Sequence, residues 1–156
     1  MMTIEPSLHD IEVLAIELET PLVLDCSISV NDAIESMKDM CLGYSLITEE
    51  DKLIGIFTER DVFLSVLGRD ETLQQPVSKL MTPMPVCVRE TESVRHVISL
   101  MHDGGFRQIP VIDDEHRVLA CVRHRDVAEY MVHHFAEHIL NLPPDPEQLA
   151  TTPNGG

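Results

Sequence analysis

The chain repeats itself once, and this internal repeat limits how it can fold more than any other feature. Pro21-Leu-Val-Leu aligns with Pro85-Val-Cys-Val, and Ser29-Val-Asn-Asp-Ala-Ile aligns with Ser93-Val-Arg-His-Val-Ile, both at an offset of 64 residues. This period is longer than the repeats of solenoid proteins. We therefore expect two subdomains that face each other.

The repeat continues beyond a predicted one-residue insertion near Gly104-Gly105. After that point Gly55-Ile-Phe-Thr-Glu-Arg-Asp aligns with Ala120-Cys-Val-Arg-His-Arg-Asp at an offset of 65 residues. Under this alignment Arg107 of the second copy is equivalent to Leu42 of the first copy.

Each copy has the hydropathy pattern of a β-α-β-β-α unit. This pattern predicts an α/β fold in which the two units are related by a pseudo-twofold axis. Ser29 and Ser93 are suited to cap the first helix of each copy. Polar turns predict that the two middle strands form a hairpin. The predicted strands are 21–24, 44–48 and 53–57, then 85–88, 108–112 and 118–122; the predicted second helices are 59–67 and 124 to about 140.

Outside the repeats, Ser7-Leu-His-Asp resembles a capping box that opens an amphipathic helix. Leu8, Ile11, Leu14 and Leu18 would face inward. The predicted plan is an N-terminal helix (1–19), repeat 1 (20–68), a linker (69–79), repeat 2 (80–134), and the end of the last helix with a mobile tail (135–156).

The net charge of −16 is distributed unevenly. Residues 1–37 carry eight acids and residues 126–156 carry five, with no Lys or Arg in either segment, whereas residues 38–125 hold fourteen acids and all eleven bases. The acidic ends should repel nucleic acid and anionic membranes, because both require a basic face. A small nucleotide held by a few local donors remains compatible with this distribution.

Neither a secretory signal nor a membrane span is expected. The first basic residue is Lys38, and no apolar run approaches about 18 residues. We therefore expect a soluble cytoplasmic protein. Its four cysteines, which form no C-x-x-C pair, are expected to be reduced core thiols: Cys26, Cys41, Cys87 and Cys121.

Three motifs in the repeats resemble a known family. They are Leu80-Met-Thr-Pro-Met-Pro-Val, Gly105-Phe-Arg-Gln-Ile-Pro-Val-Ile-Asp, and the strand that ends in Gly55-Ile-Phe-Thr-Glu-Arg-Asp. Together they look like a pair of CBS domains, or Bateman module, over about residues 16–131. The resemblance implies two units packed through their sheets, a homodimer, and clefts that bind AMP, ADP, ATP or S-adenosylmethionine, with no cofactor required.

The resemblance implies that Thr58 and Asp61 hold the ribose hydroxyls in a first cleft. A carboxylate in the first turn of a helix, beside free N–H groups, suits a vicinal diol. The ordinary alternative is that Thr58 and Asp61 only cap the helix. The base would lie against Thr82, Met84, Pro85, Val86, Ile109 and Pro110.

A second cleft would use Asp126, but Arg123 stands there in place of Thr58, which departs from the family pattern for ribose binding. Arg107 and Arg123 make this the cleft expected to attract phosphate. Its base would lie near Pro21, Leu22, Tyr44 and Ser45.

The chain has none of the common catalytic motifs, so we predict a non-catalytic regulatory module that signals to an unidentified partner. The competing hypothesis is a ligand-independent scaffold for dimerisation or docking. His134 and His138 have metal-ligand spacing, but exposed helix histidines explain them better, and no metal site is predicted.

Overall fold

Two small sheets, one for each repeat, form the frame of the structure. The computed structural model describes residues 11–141, with the side chains of residues 11–134 and 136. The first sheet has the order β1-β2-β3-β4 and the second the order β5-β6-β7. β1 is parallel to β2, β5 is parallel to β6, and the other pairs are antiparallel. The strands are β1 (Val23–Asp25), β2 (Tyr44–Glu49), β3 (Lys52–Thr58), β4 (Thr82–Pro83), β5 (Val88–Arg89), β6 (Gln108–Ile112) and β7 (Val118–Arg123).

Four helices occupy the positions that the repeat predicts. They are α1 (Val30–Asp39), α2 (Glu59–Ser65), α3 (Val94–Gly104) and α4 (His124–Asn141). The predicted caps are confirmed, since the hydroxyls of Ser29 and Ser93 accept hydrogen bonds from the backbone N–H groups of Asp32 and His96, at 3.1 and 3.2 Å. The α/β fold and the order of elements within the two repeats are therefore as predicted.

Three apolar clusters hold these elements together. One lies inside each repeat, where the helices cover one face of their own sheet. The third joins the two sheets and includes Leu46 and Ile56 from repeat 1 with Ile112 and Cys121 from repeat 2. The repeats consequently pack through their sheets, as the resemblance implied.

The predicted position of the inserted residue is wrong. The N–H of Glu59 donates to the carbonyl of Gly43 at 3.1 Å, and the N–H of His124 donates to the carbonyl of Arg107 at 3.0 Å. Gly43, not Leu42, is therefore the equivalent of Arg107, and the offset is still 64 residues at the start of β6. The additional residue lies in the turn between β6 and β7, where strand pairing leaves a longer loop than between β2 and β3.

The segment before each repeat packs against the other repeat. Val13 N–H donates to the Glu92 carbonyl, and its equivalent Val77 donates to the Ile28 carbonyl, both at 2.8 Å. Val13 is buried in the core of repeat 2, and Val77 in that of repeat 1. The offset of 64 residues thus extends back into the predicted linker (69–79), which includes short 3-10 helices at Asp70–Thr72 and Val77–Lys79.

The predicted N-terminal helix does not form within residues 11–19. This stretch has one 3-10 turn, Val13–Ala15, and buries Val13 and Ile16, whereas Leu14 is exposed. Backbone pairing with residues 92–94 extends the chain here and replaces the helical ladder. Residues 1–10 and the part of the predicted tail beyond residue 141 lie outside the described residues.

The cysteines are all free thiols, but they do not share one environment. Cys121 is buried between the sheets, and that burial raises its pKa to about 12. Cys41, in contrast, is exposed, which corrects the prediction of a core thiol. It has φ = 52° at the end of α1, the left-handed conformation that its equivalent Gly105 adopts at the end of α3 with φ = 67°.

Replacing Cys41 by Gly should stabilise the protein, because a side chain in the left-handed region costs about 1–2 kcal/mol. Part of that gain is offset by the greater entropy of unfolded glycine, so we expect about 0.5–1 kcal/mol and a midpoint about 1–4 °C higher. Thermal unfolding measures this difference. Cys41→Ala is the matched control, and an equal gain in that variant would contradict the explanation.

The four thiols should react with Ellman's reagent at very different rates. The thiolate is the reactive form, and at pH 8 only about one in ten thousand Cys121 groups is ionised at its raised pKa. Cys41 is expected to give the fast phase, and Cys41→Ser should remove it. Rapid modification of Cys121 in the folded protein would show that the two sheets are not packed as described.

Candidate functional site

The first cleft is organised by the junction between β3 and α2. Thr58 ends the strand, and Asp61 lies in the first turn of the helix. The Asp61 Oδ2 atom accepts hydrogen bonds from the Thr58 backbone N–H at 2.8 Å and from the Thr58 hydroxyl at 2.9 Å. Thr58 and Asp61 therefore form a capping box, which holds the carboxylate in one orientation at the helix N-terminus.

Thr82 brings the beginning of repeat 2 to this carboxylate. β4 pairs with β3, with Ile56 opposite Thr82, and the Thr82 hydroxyl lies 3.4 Å from Asp61 Oδ1. Sequence analysis predicted that these residues share a cleft, and the structure places them side by side. Oδ1 accepts only this long hydrogen bond among the contacts described, so it can accept a further donor.

Apolar side chains follow Thr82 along the chain. Met84 is 87% exposed with φ = 45°, and its N–H donates to the Ile54 carbonyl of repeat 1 at 2.9 Å. Val86 is also exposed, and Pro85 is half-buried. These three predicted base contacts lie within four residues of Thr82 and leave apolar surface near Asp61.

Ile109 and Pro110, also predicted to contact the base, are both completely buried. Ile109 belongs to the core of repeat 2, together with Val97 and Val127. It therefore supports β6 from the helix side and offers no surface to a ligand. Its repeat 1 equivalent, Ser45, is likewise fully buried and pairs with Phe57 in the core of repeat 1.

The second cleft has the same backbone but a different side-chain arrangement. The Arg123 N–H donates to Asp126 Oδ2 at 2.8 Å, as Thr58 does to Asp61. The Arg123 guanidinium then covers the same carboxylate, with Nη2 at 2.5 Å from Oδ1 and Nε at 3.0 Å from Oδ2. This hydrogen bonding raises the pKa of Arg123, and the Asp126 side chain is only 3% exposed.

Three more charged groups extend this ion pair into a network of five. Glu19 Oε2 lies 3.0 Å from Arg123 Nη1, and Glu19 Oε1 lies 3.6 Å from Arg125 Nη2. Arg125 also pairs with Glu129, Nε to Oε1, at 3.1 Å. The guanidinium that was predicted to attract phosphate is therefore already bound to two carboxylates.

A cavity of about 500 Å³ lies beside this network. It is bounded by residues 15–19 and by one face of α4, and it includes both members of the ion pair. The predicted wall of Pro21, Leu22, Tyr44 and Ser45 does not line it. The lining residues are Ala15, Ile16, Glu17, Leu18, Glu19, Arg123, Asp126, Glu129, Tyr130 and His133.

Sequence reasoning missed the α4 residues of this cavity, although a signal was present. Glu129, Tyr130 and His133 follow Asp126 at spacings of three, four and seven, which places them on one helix face. Four carboxylates line the cavity against one arginine. That balance opposes phosphate binding, contrary to the sequence-based expectation for this cleft.

Tyr44 and Arg107 are the remaining predicted contacts. Tyr44 is buried in the apolar contact between the sheets, together with Cys121, and this burial raises its pKa well above the usual value. Arg107 is exposed at the start of β6, and no ion pair to it occurs within residues 11–134.

Other groups in the described region form no metal centre. No cluster of three or more His, Cys, Asp or Glu side chains there could hold a metal ion, and the His134 ring stacks on Tyr130 with centroids 5.8 Å apart. His138 lies among the side chains that are not described. None of the helices in residues 11–141 is long and apolar enough to span a membrane.

Known proteins share both the sequence pattern and the fold. Residues 15–68 and 77–133 each match the CBS domain family. The inosine-5'-monophosphate dehydrogenase of Methanocaldococcus jannaschii is 28% identical over 131 residues, and the Arabidopsis thaliana CBS domain-containing protein CBSCBSPB3 is 31% identical over 94 residues. These matches cover 81% and 60% of the chain, which spans only 25% and 17% of the length of those relatives.

A solved structure adds a ligand-bound example. The CBS domain pair of protein MJ0100, determined in complex with methylthioadenosine and S-adenosyl-L-methionine, superposes with a TM-score of 0.70 at 25% identity. The alignment covers 79% of this chain and 97% of that one. With two matched repeats, sheets packed face to face and a carboxylate in the first turn of each second helix, the chain belongs to the CBS domain family as a CBS domain pair.

Proposed function

We propose that this chain is a non-catalytic regulatory protein that binds an adenosyl ligand in the first cleft. The observation that carries the proposal is that one carboxylate oxygen of Asp61 can still accept a hydrogen bond. Its Oδ2 atom is used by the capping box, while Oδ1 has one weak partner, Thr82, at 3.4 Å. A ribose diol can donate to Oδ1, and the exposed Met84 and Val86 offer an apolar surface to the adenine base.

The comparisons support this ligand class. The MJ0100 pair, of similar fold, was determined with two adenosyl compounds. In the dehydrogenase relative the matched region is a quarter of a longer protein. By analogy we propose that a ligand in this chain alters the packing of the repeats, and that a separate cytoplasmic effector protein responds to the change.

A thermal-shift panel of AMP, ADP, ATP, S-adenosylmethionine and methylthioadenosine tests the proposal. A ligand at 100 times its Kd should stabilise the protein by about 2.7 kcal/mol, a rise of roughly 5–10 °C. Asp61→Ala should weaken binding at least about tenfold, because charged hydrogen bonds contribute about 1.5–3 kcal/mol.

Glu59→Ala is the matched control, since it removes the same charge from the same turn of α2 without touching the capping box. It should bind as the unmodified protein does. If none of the five compounds shifts the midpoint, the ligand-independent scaffold becomes the better hypothesis. If a compound binds equally well to Asp61→Ala, the site assignment is wrong.

We also propose that α2 and α4 pack against a second copy of the chain. Phe63, Leu64 and Leu67 are 60–70% exposed on and just after α2, and Val132 on α4 is 67% exposed. Such large apolar side chains on one helix face favour association. The family resemblance favours a homodimer as the assembly.

Light scattering after size exclusion should give twice the mass of one chain at micromolar concentration. The double variant Phe63→Asp/Leu64→Asp should be monomeric, because it places charge in the apolar contact. Leu119→Asp, on β7, introduces a charge at another exposed leucine and should leave the dimer intact. A monomeric unmodified protein would refute this assembly.

A further inference from the structure

The two clefts differ in how many acceptor positions their carboxylates leave open. Asp61 Oδ1 has one contact, at 3.4 Å. Asp126 Oδ1 receives both Nη2 and Nε of Arg123, and Oδ2 receives Nε and the backbone N–H. A ribose diol would need the positions that the guanidinium occupies, so ligand and Arg123 compete for one carboxylate.

The guanidinium is also held from the opposite side. Residues 15–19, which we name the strap, follow Val13, whose burial and hydrogen bond to Glu92 fix the strap on repeat 2. The strap ends at Glu19, 3.0 Å from Arg123 Nη1. Because the Arg123 side chain is 14% exposed, water replaces these contacts poorly.

The first cleft, at the equivalent position of repeat 1, shows the same arrangement with its carboxylate accessible. The strap is equivalent to residues 79–83, so Leu18 takes the place of Thr82 and Glu19 that of Pro83. Thr58 takes the place of Arg123 and caps the helix without covering the carboxylate. Closure of the second cleft therefore rests mainly on the side chain of residue 123, while the backbone and the adjoining cavity of about 500 Å³ are retained.

We propose that the second cleft is a latent adenosyl site that Arg123 keeps closed by occupying Asp126 in place of the ribose. The inference rests on the proposed function for its ligand class. Each unmodified chain would then bind one adenosyl molecule. The side chain at position 123 would determine whether a chain binds one molecule or two. Thr at this position recreates the capping box of the first cleft.

Calorimetric titration with methylthioadenosine tests the proposal, since this uncharged probe has the ribose diol and avoids repulsion by the acidic cavity. The unmodified protein should bind one molecule per chain, and Arg123→Thr should bind two. Adding Asp126→Ala to Arg123→Thr should return the value to one. Arg125→Thr is the matched control, because Arg125 contacts Glu19 but not Asp126, and it should bind one.

The outcomes separate this inference from the proposed function. Two molecules bound to the unmodified chain, or one molecule bound both to the unmodified chain and to folded Arg123→Thr, would overturn the latent site while leaving the first cleft intact. One molecule bound only by Arg123→Thr, and lost with Asp126→Ala, would support the latent site and reject the first. No binding to any variant would reject both.

Arg123→Lys gives the same test if Arg123→Thr does not fold. Lysine keeps the positive charge but lacks the planar fork that covers both carboxylate oxygens. A second, weaker binding event is expected in this variant. Its absence would show that the guanidinium is not what closes the cleft.

Discussion

The apolar contact between the two sheets is the interaction on which the rest of the structure depends. Leu46 and Ile56 of repeat 1 meet Ile112 and Cys121 of repeat 2 in a core that neither repeat could form alone. Burial of side chains of this kind contributes about 1.5–3 kcal/mol each. Because this contact determines how the repeats face each other, it also determines where their clefts can lie.

Within this frame, the two strand-to-helix junctions share one backbone arrangement but differ in the charge that faces their carboxylates. Asp61 and Asp126 each accept a backbone N–H from the residue three positions earlier, at 2.8 Å. Thr58 leaves its carboxylate partly accessible, whereas Arg123 neutralises and covers Asp126. A duplicated unit can thus keep its fold while the chemistry of its two copies diverges, since the difference is confined to side chains at the helix start.

Sequence reasoning predicted features that depend on local pattern. The repeat, the serine caps and the pairing of Thr82 with Asp61 in one cleft follow from periodicity, capping chemistry and the family motifs. The helix predicted over residues 11–19 was wrong because pairing with residues 92–94 overrides helical spacing. The contacts of Glu19 could not be foreseen, because they depend on where the chain crosses between repeats, and a single sequence does not record that path.

The segment before each repeat packs against the other repeat, and this exchange bears on how the chain originated. Val13 completes the core of repeat 2, while Val77 and β4 complete repeat 1. Neither half is a self-sufficient domain, because severing the chain between them would open both cores and would also remove the edge strand β4 from repeat 1. An ancestor with a single repeat would have had to trade these segments with a second molecule, so the present chain resembles a swapped dimer whose partners were fused.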